Sequence, residues 1–292
     1  MKANRILYCG VMSGENGFTK AMRTVCDEFV QCKAGELINQ SADLVFLQTQ
    51  DDSIPIDALK KLKQSGSFII NWSGDARHQT PPCYFEYAKY IDLSAFSNGF
   101  DIDNLRKAGY KSEFLQIGYD PEIYYPDPTI QKDIQVVFMG NHFGHFPLSQ
   151  LRRDMVNELK RTYGSRFKAY GFGMPDGTFM GDQKGEADIY RRSKIGINLS
   201  HFDYPRYTSD RMFRMLGSGI CVLTHAYHNI TDDFDPRYVV YWRDIAELKD
   251  RINKWLSANE ARKITSNDGH ELAINNYTFS HMAQNIIKLW QK

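Results

Sequence analysis

The chain has no apolar run near the roughly eighteen residues that would span a bilayer, no CxxC pair and almost no net charge. A formal charge of +1 argues against a protein whose main work is coating nucleic acid. A local basic stripe along a cleft remains compatible with it, because the field at a site is set by nearby charges. The cysteines Cys9, Cys26, Cys32, Cys83 and Cys221 are odd in number and have no His partners at zinc-finger spacing. They read as buried small hydrophobes in a reducing compartment. The N-terminus, MKANRILYCGVMSGENG, lacks a long apolar core and an A-x-A site, so it reads as a first strand rather than a signal peptide, and a cytoplasmic location is expected. The loop Gly10–Gly17 fails the G-x-G-x-x-G spacing, and no Gly-Lys-Ser/Thr follows it. It is therefore neither a dinucleotide fingerprint nor a P-loop, which disfavours a nicotinamide-dependent oxidoreductase.

What is present is alternation. Short apolar runs at Ile6–Cys9, Asp43–Gln48, Ser67–Trp72, Tyr90–Phe96 and Ser112–Gln116 alternate with helical stretches, among them Phe18–Val30 and the segment DIDNLRKAGY. Tyr119–Lys132 carries three prolines and no periodicity, a linker composition. Alternation then restarts with strands at Ile134–Met139, Arg166–Tyr170, Lys194–Leu199, Ile220–Thr224 and Tyr238–Trp242 and a largely helical tail. The pattern predicts two α/β units with parallel sheets covered on both faces. Their boundaries are expected at residues 1–125 and 133–275, with 276–292 a C-terminal helix that packs back on the first unit. Ligands of open parallel sheets sit at the carboxyl ends of the strands, so two such sheets facing an interdomain cleft suit a reaction between two bound substrates.

The most informative segment runs from Ser193 to His225. A strand delivers the chain to a polar loop with Tyr204 and Arg206, and Ser209-Asp210 opens a helix. Free N–H groups at that helix N-terminus, with Arg206 and Arg211, would suit a diphosphate; spacing alone favours an ordinary capped helix between two strands. Gly217 and Gly219 end the helix and allow a tight turn. LRRDMVNELKRTYGSRFK reads as a solvated helix face. Asp101-Ile102-Asp103 fits a DxD pattern only in form and reads as a helix cap.

RMFR (211–214), GSG (217–219) and CVLT (221–224), with VVFMGN (136–141) upstream and NWSGDAR (71–77) in the first half, resemble the glycosyl transferases group 1 superfamily. The likeness is to its spore-maturation-protein-like branch, and covers most of the chain through the order and spacing of degenerate motifs. Related two-domain enzymes of bacteriophages glycosylate hydroxymethylated DNA bases. The resemblance implies an α/β, GT-B fold: two Rossmann-like domains facing an interdomain cleft, with C-terminal helices. It also implies a glycosyltransferase that needs no metal or other cofactor and binds a nucleotide-sugar, a UDP-sugar being favoured, in the second domain. The acceptor hydroxyl would belong to a glycan or small molecule, or to a hydroxymethylated base such as 5-hydroxymethylcytosine in phage DNA, in the host cytoplasm. A non-catalytic nucleotide-sugar-binding module is the alternative.

The donor would be held by Gly140, Asn141, Gly171, Tyr204, Arg206, Ser209, Arg211 and Arg214. One departure stands out: the family's usual ribose-binding Glu falls at Arg214, which cannot accept a hydrogen bond. Either Asp210 or another acid replaces it, or Arg214 meets a phosphate or sugar. Asp75 is the favoured general base and Glu15 the second candidate, although a Gly-Asp turn explains Asp75 as well. Gly14, Asn16, His78 and His142 are expected at the acceptor, and His145 lies three residues beyond His142.

Overall fold

In the computed structural model, which describes residues 2–177, 182–228 and 230–292, the strands form two sheets, and every pairing between named strands is parallel. The first contains β1 (Ala3–Gly10), β2 (Cys26–Gln31), β3 (Leu44–Gln48), β4 (Phe68–Ser73), β5 (Leu93–Phe96) and β6 (Ser112–Phe114), in the order β2-β1-β3-β4-β5-β6. The second contains β7 (Ile134–Met139), β8 (Phe167–Tyr170), β9 (Ser193–Asn198), β10 (Cys221–His225) and β11 (Val240–Trp242), in the order β11-β10-β9-β7-β8. Two units result: Met1–Gly118 together with Phe279–Lys292, and Tyr119–Thr278.

The first unit carries α1 (Gly17–Thr24), α2 (Ile56–Gln64), α3 (Pro82–Ala88) and α4 (Gly99–Lys107). Its central strands are buried on both faces, so they read as continuous apolar runs. Ile6 and Tyr8 join the core formed with Phe18, Met22 and Met282. Leu7 and Cys9, one residue out of phase, join the opposite core with Leu59 and Leu62. The second unit carries α5 (Ser149–Tyr163), α6 (Gln183–Arg192), α7 (Asp210–Gly217), α8 (Ile230–Asp233), α9 (Ile245–Ser257) and α10 (Asn259–Asn276). The chain then returns to the first unit as α11 (Phe279–Trp290), whose Met282, Ala283 and Ile286 are in its core.

Three expectations need correction. The helix expected over Phe18–Val30 ends at Thr24, and Cys26–Gln31 is a strand paired with β1; the apolar spacing of Cys26, Phe29 and Val30 suits either period, and pairing with an edge decides. The stretch Tyr119–Lys132 is not a free linker. Tyr119 and Tyr124 are buried in the second core, and a Cβ at Gly217 would stand 2.3 Å from the Tyr119 ring, so a glycine is needed there for close approach rather than for turning. Asp101 is not the cap of its helix. Asn98 caps α4 by accepting from the Asp101 N–H at 2.9 Å, and the buried Asp101 carboxylate accepts from Thr80 Oγ1 at 2.6 Å.

The five cysteines are free, and Cys9, Cys26 and Cys221 are buried. Among the described residues, no helix is long and apolar enough to cross a membrane.

Candidate functional site

In the second sheet β7 lies between β8 and β9. The connections out of β7 and β9 therefore leave in opposite directions, which makes the carboxyl ends of these two strands a topological switch point, the place where open parallel sheets bind ligands. Arg152, in the first turn of α5, fills that point. Its Nη1 donates to the Asn141 carbonyl just past β7 at 2.6 Å, and its Nη2 donates to the Leu199 carbonyl just past β9 at 2.5 Å. Nη1 also lies 2.7 Å from Nε2 of His201. Arg152 is 0% exposed, so the stretch read as a solvated face turns one of its basic residues inward. It shares the inward stripe of α5 with Met155, Val156 and Leu159.

Among the described residues, Arg152 has no ion pair with an acid, and its Nε has no partner. Burial first, then Arg211, push its pKa down to about 9, which still leaves it charged at neutral pH. His201 is pushed down to about 3, by burial first and then by Arg152 and Arg211. Its imidazole is therefore neutral, and its buried Nδ1 has no partner. His142 is also lowered, by burial and then by Arg153 and Arg152. From Gly140 to Arg153 the sequence has no acidic residue. A buried cation without a counter-charge is costly, so this switch point carries an uncompensated positive field.

The loops around it are held tightly. Asn141 Oδ1 accepts from the Phe172 N–H at 2.9 Å, and the His142 N–H donates to the Phe172 carbonyl at 2.7 Å. The Gly140 N–H donates to the Tyr170 carbonyl. Gly171 has φ +139°, and a Cβ on it would lie 2.4 Å from the Gly140 carbonyl oxygen, so the two glycines permit the β7 and β8 loops to touch. These residues were expected to meet the donor directly. In this structure their evident work is to fix the loops at the switch point.

The remaining expected donor residues divide. Arg211, on α7, makes no ion pair with an acid among the described residues and adds to the field on Arg152 and His201. Ser209 caps α7 by accepting from the Arg211 N–H at 3.3 Å. That N–H is already engaged, and Asp210 puts an acid in the first turn. The helix terminus alone is thus a weaker anion site than its sequence suggests. Tyr204 packs on Phe202, with ring centroids 5.1 Å apart. Arg206 holds a left-handed backbone at φ 61° and lies 3.8 Å from Asp233.

Arg214 is committed elsewhere: its fork donates to Glu186 at 3.0 Å and to Asp210. Glu186 also accepts from the hydroxyls of Tyr124 and Tyr190, each at 2.8 Å. Burial opposes the charge on Arg214, but Asp210 and Glu186 outweigh it and raise its pKa. The acid absent from position 214 is matched by two acids that grip its replacement.

In the first unit, the expected residues gather at the carboxyl edge of its sheet, past β1 and β4. Glu15 is exposed and paired with Arg23 at 2.7 Å. Asn16 caps α1, accepting from the Thr19 N–H at 3.1 Å. Gly14 has φ +93°, and its N–H donates to Gln31 Oε1 at 2.6 Å. Asp75 and His78 are exposed. Asp75 accepts from Gln50 Nε2 at 2.6 Å, and the Gln50 carbonyl accepts in turn from Arg77. Asp75 is therefore an oriented carboxylate rather than only a turn residue. Among the described residues, no group of three or more His, Cys, Asp or Glu side chains is placed to hold a metal ion; this includes His142 and His145.

Sequence reasoning missed Arg152 and His201. The available signal for Arg152 was its helical phase, because an arginine on the apolar stripe of an amphipathic helix is buried.

Residues 152–288, just under half of the chain, match the family described as Glycosyl transferase-like. A search of curated proteins finds no match. Among solved structures, the chain is similar to the HepE protein of Anabaena in complex with UDP-glucose, with a TM-score of 0.70 at 9% identity over 98% of this chain and 99% of that one. It is also similar to a glycosyltransferase of Rickettsia africae, with a TM-score of 0.64 at 10% identity over 98% and 97% of the two chains. The sucrose-phosphate synthase of Thermosynechococcus elongatus gives 0.60 at 10% identity over 99% and 98%. At these identities the likeness shows the fold, which is GT-B.

Proposed function

We propose that the chain is a glycosyltransferase that moves a sugar from a UDP-sugar to an acceptor hydroxyl, holding the donor diphosphate against Arg211 in the field of the buried Arg152. The observation that carries this reading is the buried, acid-free Arg152 at the switch point between β7 and β9. The UDP-glucose bound in the HepE structure supports the choice of nucleotide. In the transfer, the acceptor oxygen forms a bond to the anomeric carbon as the carbon–oxygen bond to the diphosphate breaks. The electron pair leaves with UDP, and the hydroxyl proton passes to a base. Arg152 and Arg211 stabilise charge that grows on the departing diphosphate, which is the main catalytic contribution expected of a fixed cationic site. In this proposal no metal is required, because side chains supply the positive charge.

Asp75 is the proposed base: it is solvent-exposed, and Gln50 and Arg77 hold it in one orientation. Asp75→Asn should lower turnover of UDP-glucose by about 10²–10⁴-fold, the range for a general base, with the affinity for UDP unchanged. The donor reading is tested by thermal denaturation with UDP, GDP, CDP and their sugars. At a hundredfold its dissociation constant a ligand stabilises by about 2.7 kcal/mol. UDP and UDP-glucose should produce that shift, and a panel without any shift would refute the reading. Binding of UDP-glucose without turnover in any acceptor screen would identify a non-catalytic module.

A further inference from the structure

Phe143 and Phe172 are two of the few large apolar side chains left open to solvent, 37% and 58% exposed. They come from different loops, after β7 and after β8, yet their rings are stacked with centroids 5.8 Å apart and 23° between planes. The stack is not a loose surface contact. Both the N–H and the carbonyl of Phe172 are bonded to the β7 loop, at Asn141 and His142. The loop that carries it is held from behind, where Asp176 accepts from the Ala169 N–H and pairs with Lys160. Holding an apolar ring open in water costs free energy, and here several polar contacts maintain it.

Its position gives it a use. The Phe143 ring lies 6.1 Å from the His201 ring, and His201 touches Arg152. Phe146 stands edge-on to Phe143, with centroids 6.1 Å apart and 80° between planes, and its ring lies 4.5 Å from that of His201. The stacked pair of rings thus lies one histidine away from the buried charge of Arg152. Stacking on aromatic faces next to positive charge is how proteins hold a base and its phosphate without reading sequence.

We propose that Phe143 and Phe172 form a stacking platform for a nucleobase. The inference rests on reading Arg152 as the phosphate site, and it deepens that reading by assigning the neighbouring subsite. The base has two sources, the uracil of the donor or a hydroxymethylated base presented as acceptor, and the two separate by experiment.

The experiment is equilibrium titration of wild type, Phe172→Ala, the Phe143→Ala/Phe172→Ala double variant and Phe172→Trp. The ligands are inorganic pyrophosphate, UDP and a single-stranded oligonucleotide containing 5-hydroxymethylcytosine. Loss of one stacked base weakens binding on the order of tenfold. A tenfold loss for UDP in the double variant, with pyrophosphate within twofold of wild type and Phe172→Trp restoring affinity, assigns the platform to the donor base. The same pattern for the oligonucleotide alone assigns it to an acceptor base. The proposal is overturned if both base-bearing ligands bind the variants as they bind wild type, if wild type binds neither, or if pyrophosphate weakens in step. Wild-type binding of pyrophosphate reads the Arg152 site separately. Bound pyrophosphate with Phe-insensitive bases removes the platform and leaves the phosphate site standing. Phe-sensitive base binding without pyrophosphate binding does the reverse. Melting curves close to wild type for Phe172→Ala exclude a folding defect as the cause.

Discussion

Arg152 and Arg214 are both largely withdrawn from water in the same unit, and they have opposite surroundings. Arg214 is a quarter exposed and meets Glu186 and Asp210, with two tyrosine hydroxyls completing Glu186. Arg152 is fully buried and meets two backbone carbonyls and a neutral histidine. The first is a network in which one arginine is held between two acids. The second is closed to water, but it holds a positive charge with no acid opposite it among the described residues. Burial alone therefore does not distinguish the two arginines; the missing acid does.

Removing each arginine should break the symmetry between them. Arg214→Met strands two acids and should cost about 2–4 kcal/mol of unfolding free energy, below the full figure for a buried pair because the side chains are partly solvated. Urea denaturation measures it, and a loss under 1 kcal/mol would make the network ornamental. Arg152→Met should cost less stability, about 1–3 kcal/mol for the two carbonyls left without donors, but should weaken UDP at least hundredfold.

The pH dependence sharpens the contrast next. The His201 value of about 3 lies below the ordinary histidine value of about 6.5. The unfolded chain therefore binds the proton that the folded chain excludes. The stabilisation is complete above about pH 6.5 and is lost as pH falls toward 3. His201→Gln should flatten that part of the stability–pH curve; an unchanged slope would remove His201 from the account. The smallest effect is expected at the α7 terminus. Ser209→Ala should cost about 1 kcal/mol as a lost cap and change UDP affinity less than threefold, since Ser209 caps the helix internally. A tenfold loss of affinity would restore the helix N-terminus as the main phosphate site.

The alternation of short apolar runs with helical segments was enough to read two parallel α/β units, because strands buried on both faces leave nearly continuous apolar sequence, as in Leu44–Gln48 and Ile134–Met139. The second strand was not legible, since Cys26–Gln31 follows α1 after one residue and its apolar positions fit a helix as well as an edge strand. The site was legible in outline only. Arg211 and Asp75 stood in recognisable places, but Arg152 resembles any basic residue in a charged helix until its phase against Met155 and Leu159 is counted. Arg214 signalled a departure in the sequence. Its explanation needed Glu186, twenty-eight residues earlier, and no local pattern links the two.

The central claim is that the unpaired charge on Arg152 holds the diphosphate. Calorimetric titration of UDP into wild type and Arg152→Met, with Arg214→Met compared at a temperature where it remains folded, tests it most directly. The account predicts binding by wild type, at least a hundredfold loss for Arg152→Met, and a change under about fivefold for Arg214→Met, for which 1.4 kcal/mol would correspond to tenfold. Equal affinity of wild type and Arg152→Met for UDP would contradict it.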